Sequence, residues 1–220
     1  MKRLIAAACM AVATCSPAPA LAVTNKSEAG DYVDKYECAH AKLNGYNLGS
    51  RVSVSGVQIT ARHVTYKCAL DNIGYDVKNL DLHILNPGDY SLPTCRLPYK
   101  GEKVVFKGYP ARTRSSLLSG LNGRRYEEAV GVVSITDAPH IQVKTGRPFL
   151  ENIVSHSAYA KAPGVRPGYS GGGVWSLDNG DFLGVIVSSI PDKGFAAFVH
   201  AEAICKALED IKSLEEQAED

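Results

Sequence analysis

Short β-prone runs separated by turn residues recur along most of this chain, and only its last stretch carries a helical period. That pattern restricts the fold more than any other feature. Arg51 to Ser55 alternates apolar and polar residues and is punctuated by Gly56. Val57 to Thr60 follows and leads into Ala61-Arg62-His63. Leu80 to Leu85 is a further run, closed by the turn residues Asn86-Pro87-Gly88-Asp89. Lys103 to Pro110, Ala129 to Ile135, Ile141 to Val143, Val174 to Leu177, Phe182 to Ser188 and Phe195 to His200 continue the series, with Asn179-Gly180 as a hairpin turn. Period-2 runs bounded by such residues predict strands. From Glu202 onward, Ile204, Leu208 and Ile211 share one face of an amphipathic helix, which ends in a charged tail. Many short strands and one helix predict an all-β class. Residues 23–37 are polar and are expected to form a loosely held lead-in with a short helix or turn. Leu92 to Pro98, with two prolines, reads as a connection.

The first 22 residues predict a secretory signal peptide. Lys2 and Arg3 give a basic start, Leu4 to Thr14 is mostly apolar, and Ala20-Leu21-Ala22 is a small-x-small cleavage site. Pro17 and Pro19 oppose a buried helix there. Acylation at Cys15 fits poorly, because Thr14 is large for the position before it. The expected product starts at Val23 and is exported, to the periplasm or beyond. Of the six cysteines, Cys9 and Cys15 leave with this segment, and Cys38, Cys68, Cys95 and Cys205 remain. An even number in an exported chain predicts two disulfides, with three possible connectivities. No spacing matches a zinc pattern, and no metal or cofactor is expected. Without residues 1–22 the chain has 22 basic and 23 acidic side chains, so charge gives no reason for a nucleic-acid partner. No second apolar run is long enough to cross a bilayer.

Gly168-Tyr169-Ser170-Gly171-Gly172, followed by Gly173-Val174-Trp175, is the stretch that carries chemistry. Glycines permit close backbone approach and dihedrals closed to other residues. Such a loop can aim the Gly168 and Ser170 N–H groups at one point beside the Ser170 hydroxyl, which would suit the oxyanion of an acyl-transfer intermediate. A serine hydroxyl needs a base within reach, and the base needs a partner to fix its tautomer. His63, at a strand end, is the candidate base. Asp81, 18 residues later and bedded by Leu82, Ile84 and Leu85, is the candidate partner. Asp71 and Asp76 are its rivals, set among turn residues. His83 shares the face of Asp81 on a period-2 strand and reads as a satisfied core histidine.

Thr60-Ala61-Arg62-His63, Asp81 to Leu85 and Gly168 to Gly172, in that order, resemble the three signatures of the chymotrypsin-like (trypsin-like) serine peptidases, most closely their bacterial members. The resemblance covers most of the chain after its first forty residues. It implies two six-stranded antiparallel β-barrels with a C-terminal α-helix: residues 23–97, then 98–200, then the helix and tail over 201–220. It also implies a site in the cleft between the barrels, with His63, Asp81 and Ser170 as catalytic residues and the Gly168 and Ser170 N–H groups as the oxyanion hole. Closed barrels lack sheet edges, which favours a monomer. Pairing of Cys38 with Cys68 and of Cys95 with Cys205 follows from the same likeness.

The implied activity is an exported serine endopeptidase acting on protein or peptide substrates through an acyl-enzyme. The alternative is a peptidase-fold binding protein without catalysis. An α/β-hydrolase esterase would need a parallel sheet and the order Ser, Asp, His. Tyr169 stands where many animal members have an aspartate that pairs with a new N-terminus, so activation by that ion pair is not expected. The primary pocket is implied at Gly164, Val165, Ser188 and Ile190, with no carboxylate at its base. That combination predicts small or medium apolar P1 residues, with Arg166 and His200 as groups that could instead favour an acidic one.

Overall fold

The computed structural model describes residues 31–39, 46–65, 68, 74–77, 79–86, 90–110, 124–141 and 154–218, with the side chains of residues 38–39, 46–47, 86, 139–141, 154–155 and 218 left out. Eleven strands, two α-helices and one 3-10 turn (Pro191–Lys193) occupy these residues: β1 (Tyr32–Ala39), β2 (Tyr46–Val54), β3 (Val57–Ala61), α1 (Arg62–Thr65), β4 (Tyr75–Val77), β5 (Leu82–Asn86), β6 (Lys103–Gly108), β7 (Glu127–Ile141), β8 (Val154–Lys161), β9 (Gly173–Ser176), β10 (Phe182–Ile190), β11 (Phe195–His200) and α2 (Ala201–Ala218). β1 to β5 form an antiparallel sheet in the order β1-β2-β3-β5-β4. β6 to β11 close into a six-stranded barrel in the order β10-β11-β8-β7-β6-β9. The all-β class with a C-terminal helix is therefore the observed one. The first half shows five strands among the described residues.

The β2–β3 hairpin shows how local sequence sets the register. Val54 pairs with Val57 across Ser55 and Gly56, both at positive φ. That is the two-residue turn whose twist suits antiparallel strands. It puts Val52, Val54, Val57 and Ile59 on the buried face. The lead-in expectation is corrected: Tyr32–Ala39 is a full strand paired to β2, with Tyr36 buried in the core. Its polar residues hide it, because only one side of this strand meets apolar partners. Ile141 is the end of the long β7 rather than the start of a separate strand, and residues 142–143 lie outside the described residues.

α2 closes the fold. Ile204, Leu208 and Ile211 share a core cluster with Val52, Ile59, Ile84, Val185 and Val199, so the helix packs against residues of both sheets. A second cluster fills the barrel, with Phe106, Phe198, Leu183 and Tyr169 at its centre. A disulfide between Cys95 and Cys205 ties the proline-rich connection to α2. Cys68 is also disulfide-bonded, while the Cys38 side chain lies outside the described ones. No helix among the described residues is long and apolar enough to cross a membrane.

Candidate active site

His63 is the second residue of α1, the single turn that follows β3. Asp81 immediately precedes β5, which pairs with β3 so that Ala61 lies opposite Leu82. This pairing delivers the carboxylate to the histidine. Asp81 Oδ1 accepts the His63 backbone N–H at 2.9 Å, and Oδ2 lies 2.6 Å from His63 Nδ1. The Arg62 N–H donates to the Asp81 carbonyl at 3.1 Å, which fixes the same turn a second time. Asp81 is fully buried while His63 is partly open. A neutral His63 ring that donates its Nδ1–H to this carboxylate has Nε2 as its acceptor nitrogen.

Asp76 has other partners. It lies on β4, largely exposed, with Arg62 Nε at 3.0 Å and His83 Nδ1 at 2.8 Å. His83 is buried, and its Nε2 has no hydrogen-bond partner among the described residues. Asp71 lies outside the described residues.

The Ser170 turn is anchored on both sides. Ser50 N–H donates to the Ser170 carbonyl at 2.7 Å. Gly171 N–H donates to Ile186 O at 2.7 Å, and Ile186 N–H returns a bond to Gly172 O at 2.8 Å. The glycines are required by the chain's own backbone. Gly171 has φ +86°, and a Cβ there would stand 2.0 Å from Ser50 O and 2.2 Å from Thr60 Oγ1. Gly49 lies between α1 and this turn: a Cβ on it would meet Val64 Cγ1 at 2.5 Å and Ser170 O at 2.9 Å. The His63 helix and the Ser170 turn thus converge on one glycine.

Gly168 sits at φ +99°. Its carbonyl accepts from Ser50 Oγ at 2.9 Å and from Arg124 Nη2 at 3.3 Å. Among the described residues, neither the Gly168 nor the Ser170 N–H donates to a backbone carbonyl. Two such donors flanking a serine are suited to an oxygen that gains charge.

The other sequence-derived positions are distributed as follows. Gly164 is exposed, with its Cα side facing Ala129. Val165 is buried in the barrel core. Ser188 is half-buried, and Ile190 is exposed at the end of β10, opposite Phe195. The Arg166 guanidinium is held by both oxygens of Glu127 at 2.8 Å. His200 precedes α2 and accepts the Ala203 N–H on Nδ1 at 3.2 Å. It lines a groove of about 530 Å³ with Cys95, Asp137, His156 and Cys205.

Sequence reasoning overlooks three residues around the turn: Gly49, Ser50 and Arg124. No local pattern marks them, since each acts on a segment more than forty residues away. Arg124 is buried, and burial pushes its guanidinium below the usual range while Glu37 and Tyr109 draw it back. Among the described residues, no group of three or more His, Cys, Asp and Glu side chains is arranged to hold a metal ion.

No protein-family model and no curated protein sequence matches the chain. Solved structures do. The active form of the Rv3671c protease from M. tuberculosis superposes with a TM-score of 0.60 at 21% identity, over 80% of this chain and 79% of that one. The HtrA-type protease AlgW with a tripeptide gives 0.52 at 21% identity, over 84% of this chain and 60% of that one. The serine endoprotease from Yersinia pestis gives 0.53 at 20% identity, over 81% and 61%. These neighbours are proteases, the Yersinia pestis one a serine endoprotease, and the shared architecture is the chymotrypsin-like fold.

Proposed function

We propose that this chain is an exported serine endopeptidase that hydrolyses peptide bonds through an acyl-enzyme. The observation that carries the reading is the double contact between Asp81 and His63, on a fold whose solved neighbours are proteases, a serine endoprotease among them. In this mechanism the Ser170 hydroxyl attacks the substrate carbonyl carbon and passes its proton to His63 Nε2. Asp81 stabilises the resulting imidazolium without taking the proton. The Gly168 and Ser170 N–H groups bind the oxyanion. The imidazolium then protonates the leaving amine as the C–N bond breaks, which leaves the acyl group on Ser170. Water, deprotonated by His63, releases the acid and restores the serine. No cofactor takes part.

Export is supported by the Cys95–Cys205 disulfide and the bonded state of Cys68, since such bonds persist in oxidising compartments. The division into a signal peptide over residues 1–22, barrels over 23–97 and 98–200, and a helix with tail over 201–220 goes with this reading. So do a monomeric state and the pairing of Cys68 with Cys38.

The substrate preference proposed is for small or medium apolar P1 residues. Arg166 is occupied by Glu127, and His200 caps α2 beside the Cys95–Cys205 bridge. Neither is then available to pair with an acidic P1 group, whose desolvation would go uncompensated. Gly164 and Ile190 are exposed and Ser188 is half-buried, so these three are the accessible members of the proposed pocket. Val165 acts from behind it.

A serine-directed phosphonate, scored by mass on Ser170, tests the activity. Labelling of the wild-type chain and none of Ser170→Ala is expected. A folded chain that never labels and never cleaves a peptide library would overturn the peptidase reading and leave the non-catalytic binding one. Matched peptides that differ only at P1 test the pocket, and strong preference for Lys, Arg or Glu would refute it.

A further inference from the structure

Arg124 carries a charge into the interior: its side chain is 1% exposed. The carboxylate that faces it is Glu37, with Oε1 3.8 Å from Nη1. Its hydrogen bonds go instead to backbone carbonyls. Nε donates to Tyr109 O at 2.9 Å and Nη1 to Tyr36 O at 3.4 Å. Nη2 donates to Gly49 O, Tyr109 O and, at 3.3 Å, Gly168 O. The four residues come from β1, β2, the end of β6 and the Ser170 turn. Burying a cation is costly, and replacing buried ionic groups by well-packed apolar side chains of similar volume is often neutral or stabilising. A charge kept here has its use in what the four carbonyls are made to do.

The carbonyl that matters is that of Gly168. At φ +99° this residue has the backbone freedom to turn its peptide planes away from the site. Ser50 Oγ–H and Arg124 together hold its carbonyl, while Ser50 Oγ accepts the Tyr109 N–H at 2.8 Å and so is itself oriented. Fixing the carbonyl fixes the Gly168–Tyr169 peptide, and with it the aim of the N–H groups on either side. Two further contacts of the guanidinium, Tyr36 O and Glu37, belong to β1.

We propose that Arg124 is a positioning residue that holds the Gly168–Ser170 turn in its oxyanion-binding form, and that its contacts with Tyr36 and Glu37 make that form depend on β1. The inference rests on the peptidase reading above. It assigns to a buried cation on carbonyls the ordering of the turn for which Tyr169, itself uncharged and buried, offers no ion pair.

The test uses the purified, oxidised protein with a peptide substrate and the serine-directed phosphonate. Arg124→Met should lower kcat by about 10²-fold, the size of effect seen when an oxyanion donor is lost, and leave KM nearly unchanged. Phosphonate labelling should slow by a similar factor. Arg124→Lys, which keeps the charge but not the planar fork, should recover part of the loss. Glu37→Gln should shift kcat in the same direction by a smaller factor. An active wild type with an equally active Arg124→Met would overturn the inference and spare the peptidase reading. A wild type that neither labels nor cleaves would sink both. Loss of cooperative melting in both Arg124→Met and Arg124→Lys would also overturn it, because folding rather than positioning would then be the role. An unaltered Glu37→Gln would remove the dependence on β1.

Discussion

Asp81 holds His63 at two atoms, taking its backbone N–H on one oxygen and its Nδ1 on the other, at 2.9 and 2.6 Å. The backbone bond fixes where the ring starts, and the ring bond favours the tautomer with its proton on Nδ1. Asp81→Asn should keep the fold but offer an amide that stabilises the wrong tautomer, so turnover should drop by about 10⁴-fold. Asp76→Asn should retain most turnover, since Asp76 meets Arg62 and His83 rather than His63. Steady-state kinetics of the two variants side by side check this, and a dead Asp76→Asn beside an active Asp81→Asn would reverse the assignment.

Gly171 should tolerate no side chain. At φ +86° a Cβ would lie 2.0 Å from the Ser50 carbonyl, and the backbone strain alone is about 1–3 kcal/mol. Gly171→Ala should therefore lose that much stability or more in urea titration and should label poorly with the phosphonate. Gly180→Ala is the control: it also has positive φ, but nothing lies within 4 Å of its Cβ position. Equal stability losses in the two would show that the close approach to Ser50 is unimportant.

The Cys95–Cys205 bridge spans 110 residues and joins the connection to α2. Closing so long a loop should stabilise the chain by about 2–5 kcal/mol. Cys95→Ser with Cys205→Ser should melt correspondingly lower. Identical melting of the wild type with and without reductant would contradict this.

His200 should make stability pH-dependent. Burial pushes its imidazole below the usual pKa, and Asp137 only partly restores it. The folded chain then binds the proton less readily than the unfolded one. The stability from this group is full above about 6.5 and is lost as pH falls through the lower folded value. Protonation at Nδ1 would also remove the acceptor for the Ala203 N–H. His200→Asn keeps a capping oxygen and does not titrate. Its Tm should fall less between pH 7 and pH 5 than that of the wild type, and parallel curves would exclude the histidine as the cause.

The periodic elements are legible in the amino-acid sequence. β2 alternates apolar and polar residues, β3, β5, β6, β9, β10 and β11 are short β-prone runs bounded by turn residues, and α2 buries the Ile204, Leu208 and Ile211 face its spacing predicts. β1 and β8 are not legible in this way. β1 is polar and gains its form by pairing with β2, and β8 buries small residues, Ala158 and Ala160, that carry little hydrophobic signal. Composition and local pattern by themselves determined the all-β class and the helix, because those properties reside in single residues and their near neighbours, while the candidate residues for acyl-transfer chemistry came from three short motifs that resemble a known family's. Which carboxylate meets His63, why Gly171 must be glycine, and that Arg124 grips Gly168 were decided by the tertiary structure. Each is a contact between segments far apart in the chain, and a hydrogen bond leaves no periodic trace in either of the segments it joins.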